Sequence, residues 1–274
     1  MAGRLSPVLL GLFLLLYVPV MGLVFRLVAL PLRWILPSLG ARFLNRLTRF
    51  WGVNLFRAGL VLGGVRVRVS GFEPEPGRPY LVISNHQSIV DIPLHFWLFR
   101  RTSLKFVMKK ELRWGIPNVS PGTRAGHFAF LDRRAGVAEA ERELGEFCRY
   151  VRAERTGAVI YPEGTRSRDG RLRPFKVAGV SILARHLDYE VVVVTLDGTW
   201  RAATPRRLLA DLAGLEIAVQ IEEPRSIEPF RSDPKAALAD VRALMDRRLA
   251  ELRGERPLAV ATGTRPGRRG PRSA

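Results

Sequence analysis

The chain is short of cysteine, lysine and acidic side chains. A single cysteine, Cys148, stands in 274 residues. That excludes an intrachain disulfide and a zinc cluster of thiolates. In "AEAERELGEFCRYVRAE", Cys148 shares an apolar stripe with Ala140, Leu144, Phe147 and Val151 at helical spacing. It therefore reads as a small core residue rather than a nucleophile. No metal-ligand spacing and no internal repeat are found. Asp and Glu number 25 against 44 Lys and Arg, of which only five are lysine. The formal net charge of +19 calls for an anionic partner: nucleic acid, an anionic membrane face or acidic substrates. Hydrophobic residues make up 47% of the chain, enough for one large domain or two small ones.

Charge is missing altogether from residues 5–25, "LSPVLLGLFLLLYVPVMGLVF". About 20 apolar residues span a bilayer core. A secretory signal has a shorter apolar core and a small-residue cleavage site. Here the apolar character continues into "RLVALPLRWILP". Gly11, Pro19 and Gly22 interrupt the run, so it is expected either to span the membrane or to lie in its interface. In the next stretch, "ARFLNRLTRFWGVNLFRAGLVLGG", Leu44, Leu47, Phe50 and Trp51 fall at helical spacing, with Arg42, Arg46 and Arg49 at other positions. That pattern suits an interfacial amphipathic helix. A core helix with a solvated basic face gives the same pattern. If residues 5–25 span, Arg26, Arg33, Arg42, Arg46 and Arg49 all follow them, against Arg4 before. The positive-inside rule then places the body in the cytoplasm, on an inner membrane. The expected division is membrane-spanning or interfacial helices over 1–60, a body over 65–252, and a basic disordered tail over 254–274, "GERPLAVATGTRPGRRGPRSA".

The body alternates between strand and helix patterns. "VRVRV" (65–69) alternates as a half-exposed strand does, and "YLVIS" (80–84) is a short apolar run suited to a strand buried on both faces. Further candidates are 104–108, 127–131, 157–161, 191–196 and 215–221, with helical patterns between several of them. The fold class expected is α/β: a mixed sheet with flanking helices, preceded by the hydrophobic N-terminal helical segment.

Two stretches carry chemistry. "ISNHQSIVDIP" follows the buried strand, and a helix is expected from near Ile89 to about Phe99. His86 then lies in the turn and Asp91 in the first helical turn, where the helix dipole favours a carboxylate. Asp91 can accept a hydrogen bond from one ring nitrogen of His86 and leave the other free to take a proton. No serine or cysteine is placed as a nucleophile, and Ser88 reads as a helix cap. The substrate would bring its own hydroxyl. The same spacing also suits two residues that merely cap a helix. "VIYPEGTRSRDGRLRPFK" follows a second buried strand. Gly164 lets the backbone approach a ligand, Arg166 has the fork geometry for a phosphate, and Glu163 can orient that arginine or accept from a substrate hydroxyl. "FLDRR" puts Arg133 and Arg134 at a third strand end, and open α/β sheets bind ligands at such ends.

"NHQSIVD", "FLDRR" and "YPEGTRSRDGRLRPFK" resemble the first three motif blocks of the glycerophospholipid acyltransferase family, which includes the 1-acylglycerol-3-phosphate acyltransferases. The resemblance covers roughly residues 65–225. It implies transfer of an acyl chain from a thioester of coenzyme A or acyl carrier protein to a hydroxyl of a lysophospholipid, with 1-acylglycerol 3-phosphate as the acceptor expected first. The alternative acceptors that the resemblance leaves open are glycerol 3-phosphate, a lyso-cardiolipin, a lyso-phosphatidylglycerol and an amino-acid-headed lipid. His86 would be the base and Asp91 its orienter. Arg133, Glu163, Gly164, Thr165 and Arg166 would hold the phosphate-bearing acceptor. Asn85, and Lys110 in "KFVMKKEL", would support them. No cofactor or metal is implied, since the thioester is itself activated, and the partners are membrane lipids and the acyl donor rather than nucleic acid. Oxyanion donors are expected among backbone N–H groups near the first motif. Two departures from the family pattern stand out. "GHFAFLDR" stretches the second block at Gly126, and "VVVVTLDG" lacks the fourth block's proline. The rival from another class, a basic nucleic-acid-binding or membrane-scaffolding protein, accounts for the charge but not for the two motifs at successive strand ends.

Overall fold

The computed structural model describes residues 5–114, 120–132, 136–202 and 211–254. The expected tail falls almost wholly outside them, as do Arg133 and Arg134. Among the described residues, seven strands form one sheet in the order β1-β7-β6-β2-β5-β3-β4. They are β1 (Arg66–Gly71), β2 (Leu81–Ser84), β3 (Leu104–Lys109), β4 (Ala129–Leu131), β5 (Gly157–Ile160), β6 (Val191–Asp197) and β7 (Glu216–Ile221). Strands β6, β2, β5, β3 and β4 run parallel; β7 pairs antiparallel with β6 and carries β1 parallel to itself. The sheet is mixed, as its strand patterns led one to expect.

Alternation along the central strands divides the core into two layers. Val82, Val159, Val192, Val194 and Phe106 face helices α3 (Pro37–Val61) and α4 (Asp91–Leu98), meeting Val53, Phe56, Leu94 and Phe96. Leu81, Ile83, Ala158, Ile160, Val191 and Val193 face the other way. There they meet α6 (Val137–Ala153), α7 (Val177–His186) and the long C-terminal helix, Pro234–Leu252. Burying each such large apolar side chain stabilises by about 1.5–3 kcal/mol. Cys148 is fully buried in this second layer, and burial pushes its thiol up to about 12.

The N-terminal apolar segment forms α1 (Leu5–Val24), a π-helical turn (Phe25–Ala29) and α2 (Leu30–Ile35). The chain then reverses at Leu36 into α3. The resulting hairpin touches the body at several points along its length. Leu10 is buried in one cluster with Val53 and Phe56 of α3 and, on the body side, with Val65 just before β1. Phe25 lies against Gly122 of α5 (Ser120–Ala125), where an added Cβ would come within 3.0 Å of its ring. Arg33 bonds to His127 Nε2 at 2.7 Å and reaches Glu154 at 3.5 Å. From Leu10 to Arg33 is about 35 Å of helix at 1.5 Å per residue, so the body lies alongside this apolar helix rather than beyond one end of it. Helix α3 is more than an interfacial element. Its Gly52 packs so tightly on Phe96 that a Cβ there would lie 2.3 Å from the ring, and Phe56 meets Trp97 at 5.4 Å. Only part of its outer face, such as Phe50, stays exposed.

One buried polar cluster fastens hairpin to body. Lys105 of β3 is fully buried. Its ammonium pairs with Glu154 at 3.0 Å, donates to Asn45 Oδ1 at 3.2 Å and donates to the Gly126 carbonyl. Glu154 also accepts from Asn45 Nδ2 at 2.6 Å.

Candidate active site

The parallel strands end on one edge of the sheet, and β6, β2 and β5 are direct neighbours there. Each of the three runs out into a loop that carries part of one cluster. After β2 the chain turns through Asn85–Val90 before α4 begins at Asp91. Asn85 is spent on holding this turn to β6: its Nδ2 donates to the Leu196 carbonyl at 2.8 Å and its Oδ1 accepts from Leu196 N at 2.9 Å. His86 Nδ1 lies 2.8 Å from Asp91 Oδ2. A carboxylate only accepts, so Nδ1 carries the proton and Nε2 presents its lone pair. Nε2 bonds to no described residue, and the His86 side chain keeps 16% of its surface exposed. Tyr161 stacks on the imidazole at 4.1 Å and 14°, fixing the plane of the ring.

Asp91 itself is fully buried. Oδ2 accepts from Gln87 N at 2.6 Å and Ser88 N at 2.8 Å as well as from His86. Oδ1 accepts from Thr199 Oγ1 at 2.6 Å. Buried charge is tolerable when donors surround it in this way. Ser88 does not cap α4. Its hydroxyl donates to the Ala202 carbonyl at 2.7 Å and accepts from Val90 N at 3.4 Å, ahead of the helix, which has no side-chain cap bond. Behind Asp91, His95 Nδ1 donates to the Asp91 carbonyl at 2.6 Å. Burial lowers His95 to about 4 and keeps it neutral.

The loop after β5 is clamped to the His86 turn. Glu163 Oε1 accepts from His86 N at 2.8 Å, Oε2 accepts from Arg173 N at 2.8 Å, and Ser167 N donates to the His86 carbonyl at 2.7 Å. Burial raises the Glu163 carboxyl, and the two backbone donors work against that. With both oxygens engaged and 2% exposure, Glu163 is placed to hold two loops in register rather than to touch an acceptor. Gly164 adopts φ +66, and a Cβ there would approach the Lys176 side chain at 3.4 Å. Thr165 and Arg166 are half-buried, and the Arg166 guanidinium makes no hydrogen bond or ion pair with any described residue. Arg168, Arg171, Arg173 and Lys176 surround it in sequence and are exposed. Lys110, at the end of β3, sits apart from this cluster, paired with Asp132 at 3.3 Å and Glu139 at 3.6 Å. Those two acids raise its pKa, the Asp132 hydrogen bond most of all. Arg133 lies outside the described residues.

Three groups of the cluster carry no signal of their own in the sequence pattern. Tyr161 reads there only as the end of a strand. Gln87 bridges loops, its Nε2 3.2 Å from Asp197 Oδ1 and its Oε1 3.3 Å from Trp200 N. Thr199 stands two residues past β6, and the signal that would have found it is its place at the third neighbouring strand end. The geometry also corrects one expectation. The backbone N–H groups of His86, Gln87 and Ser88 are consumed by Glu163 and Asp91, so none of the three is an oxyanion donor.

Comparison with known proteins bears on the stretch that carries this cluster. The acyltransferase family model matches residues 66–197, the stretch that runs from β1 to the end of β6. Residues 66–197 belong to the acyltransferase family. The chain is 35% identical over 154 residues to a 1-acyl-sn-glycerol-3-phosphate acyltransferase of Limnanthes douglasii, covering 54% of this chain and 53% of that protein. It is 28% identical over 180 residues to a 1-acyl-sn-glycerol-3-phosphate acyltransferase alpha of Mus musculus, covering 65% and 61%. It thus spans only about half to three fifths of the length of these relatives. The crystal structure of the 1-acyl-sn-glycerophosphate (LPA) acyltransferase PlsC from Thermotoga maritima superposes with a TM-score of 0.64. That match covers 92% of this chain and 98% of that one at 23% identity, a likeness of fold. Within the matched stretch His86 and Asp91 are in contact, and the loop after β5 is bonded to them.

Proposed function

We propose that this protein is an O-acyltransferase that moves an acyl chain from a thioester of coenzyme A or acyl carrier protein to a lysophospholipid hydroxyl. The acceptor best supported is 1-acylglycerol 3-phosphate, giving phosphatidic acid. The observation that carries the reading is the His86 ring: Nδ1 held by Asp91, Nε2 open, beside a loop whose Arg166 has no partner among the described residues. His86 Nε2 takes the proton of the acceptor hydroxyl as its oxygen attacks the thioester carbonyl. The tetrahedral intermediate collapses, the C–S bond breaks, and the thiolate leaves with the proton from the imidazolium. A positioned base of this kind contributes about 10²–10⁴-fold. Arg166 serves the acceptor phosphate with two parallel N–H donors.

The hairpin suits a lipid substrate. Val8–Ile35 is long and apolar enough to cross a bilayer, and Leu12, Leu15, Leu16, Val20, Leu23 and Leu27 are each more than half exposed. Because the body runs beside this helix and bonds to its far end at Arg33, the hairpin is better suited to lie within one leaflet than to span. The body then faces the cytoplasm, where thioester donors are made. Incubating the purified protein with labelled acyl-CoA or acyl carrier protein and each acceptor in turn tests the reading. The expected product is phosphatidic acid. Acylation confined to lyso-cardiolipin or lyso-phosphatidylglycerol reassigns the acceptor, and no acylation with any pair overturns the activity.

A further inference from the structure

Asp91 offers two oxygens, and the chain treats them differently. Among the described residues, Oδ2 faces three donors from its own loop, whereas Oδ1 faces a single one, the hydroxyl of Thr199, more than a hundred residues away in sequence. Thr199 is fully buried. Its hydroxyl has one proton and two acceptors in reach, Asp91 Oδ1 at 2.6 Å and Gln87 Oε1 at 3.3 Å. The shorter line, to an ionised acceptor, takes the proton. The backbone delivers the hydroxyl there through Gly198. That residue adopts φ +101, and a Cβ would fall 2.1 Å from the Glu216 carbonyl, so only glycine makes this turn. Gln87, bonded at once to Asp197 and to Trp200 N, fastens the segment after β6 to the His86 loop.

We infer that Thr199 is a positioning residue for the transfer reaction: it fixes the rotation of the Asp91 carboxylate, and through it the tautomer and tilt of His86. The inference rests on His86 being the base. Three donors converging on one oxygen hold that oxygen but leave the carboxylate plane free to tilt about it. A fourth donor on the other oxygen removes that freedom. If the plane tilts about Oδ2, the lone pair of that oxygen turns away from Nδ1–H and the bond weakens; the proton can then sit on Nε2, where it blocks catalysis.

The test compares wild type, Thr199→Val, Thr199→Ser, His86→Ala and the His86→Ala/Thr199→Val double variant, using acyl-CoA and 1-acylglycerol 3-phosphate. Thr199→Val, equal in size but without a donor, is expected to lose about 10- to 100-fold in kcat, the worth of one charge-assisted hydrogen bond. Both KM values are expected to stay within about twofold. Thr199→Ser is expected to recover most of the rate, and the double variant to be no slower than His86→Ala alone. In parallel, nitrogen-15 NMR of labelled histidine reads the His86 tautomer without any substrate. Wild type is expected to carry the proton on Nδ1, and Thr199→Val a mixture of tautomers. Wild-type kcat and a wild-type tautomer in folded Thr199→Val would overturn the inference. Should Thr199→Val not fold, Thr199→Cys keeps the size with only a weak donor, and wild-type kcat in that variant overturns it equally. Full activity in His86→Ala would instead overturn the base assignment itself, so the two failures are separable.

Discussion

Asp91 and Lys105 are both ionisable side chains with no exposed surface, yet they find their partners at opposite distances along the chain. Asp91 takes three of its four donors from residues 86–88, within five positions of itself, and one from Thr199. Lys105 takes all its partners from elsewhere: Asn45 on α3, Gly126 before β4 and Glu154 at the end of α6, with Arg33 of the hairpin beyond Glu154. The first cluster is open at one atom, His86 Nε2, and that atom faces the exterior. The second is closed, since all three ammonium protons have an acceptor. An open buried cluster is a place for chemistry. A closed one ties elements together and specifies how they dock.

Breaking the open cluster should affect rate and spare the fold. His86→Ala is expected to lower kcat by about 10²–10⁴, with the melting temperature close to wild type. A loss of rate accounted for by unfolding would make the first motif a helix cap instead. Breaking the closed cluster should do the reverse. Glu154→Leu leaves Lys105 as a buried cation without its carboxylate, which costs about 3–5 kcal/mol in urea unfolding. Adding Lys105→Met to Glu154→Leu removes the orphaned charge and is expected to restore most of that stability. If the double variant is as unstable as Glu154→Leu, the orphaned ammonium is not the source of the loss.

Smaller effects sharpen the contrast. Arg166→Ala is expected to raise the acceptor KM about ten- to a hundredfold, the worth of a hydrogen bond to a charged group. Arg166→Lys should recover only part, since an ammonium cannot reproduce the fork. An unchanged KM in both removes Arg166 from the acceptor site. The mildest probe is pH. His127 Nε2 accepts from Arg33, so a proton there would break that bond and set two cations together. Burial first, then Lys105 and Arg33, lower His127 to about 4. Between its ordinary range near 6.5 and that value, the unfolded chain binds more protons than the folded one, so stability falls as pH falls. Glu154 adds the same sign. Burial works to raise its carboxyl, but Lys105, Asn45 and Arg33 together hold it below the ordinary value. Its contribution is present above the unfolded carboxylate range and is lost as pH drops through the folded value. Urea midpoints measured from pH 7 to 4 should decline. His127→Asn, which tolerates the φ of +53 at this position, should flatten the upper part of the decline. A midpoint that rises on acidification contradicts the assignment.

The sheet was legible because strand alternation is a local property. "YLVIS" and "VVVVTL" could sit only where both faces are covered, and Leu81–Ser84 is indeed buried at every position. His86 and Asp91 were legible for a related reason: a strand, a short turn and a helix start fix their separation within a few residues. Lys105 was not. In "LKFVM" it reads as an outward-facing charge between apolar neighbours, and nothing nearby in the chain hints at Asn45 or Glu154. Glu163 was assigned to the substrate for the same lack. Its residue type and loop were plain, but its acceptors' donors, His86 N and Arg173 N, belong to the folded arrangement.

By itself the sequence determined the periodicities, and with them the seven strands, the apolar hairpin helix and the spacing of the His86–Asp91 pair. Backbone conformation and the facing of side chains are settled residue by residue, so composition and spacing record them. Only the tertiary structure decided that the apolar helix runs beside the body, that three backbone N–H groups of the first motif are already taken, and that Thr199 completes Asp91. A buried polar atom must find its partner among whatever elements pack against it. Which elements those are is set by the closing of the sheet and the docking of the hairpin, at separations along the chain where no local pattern reaches.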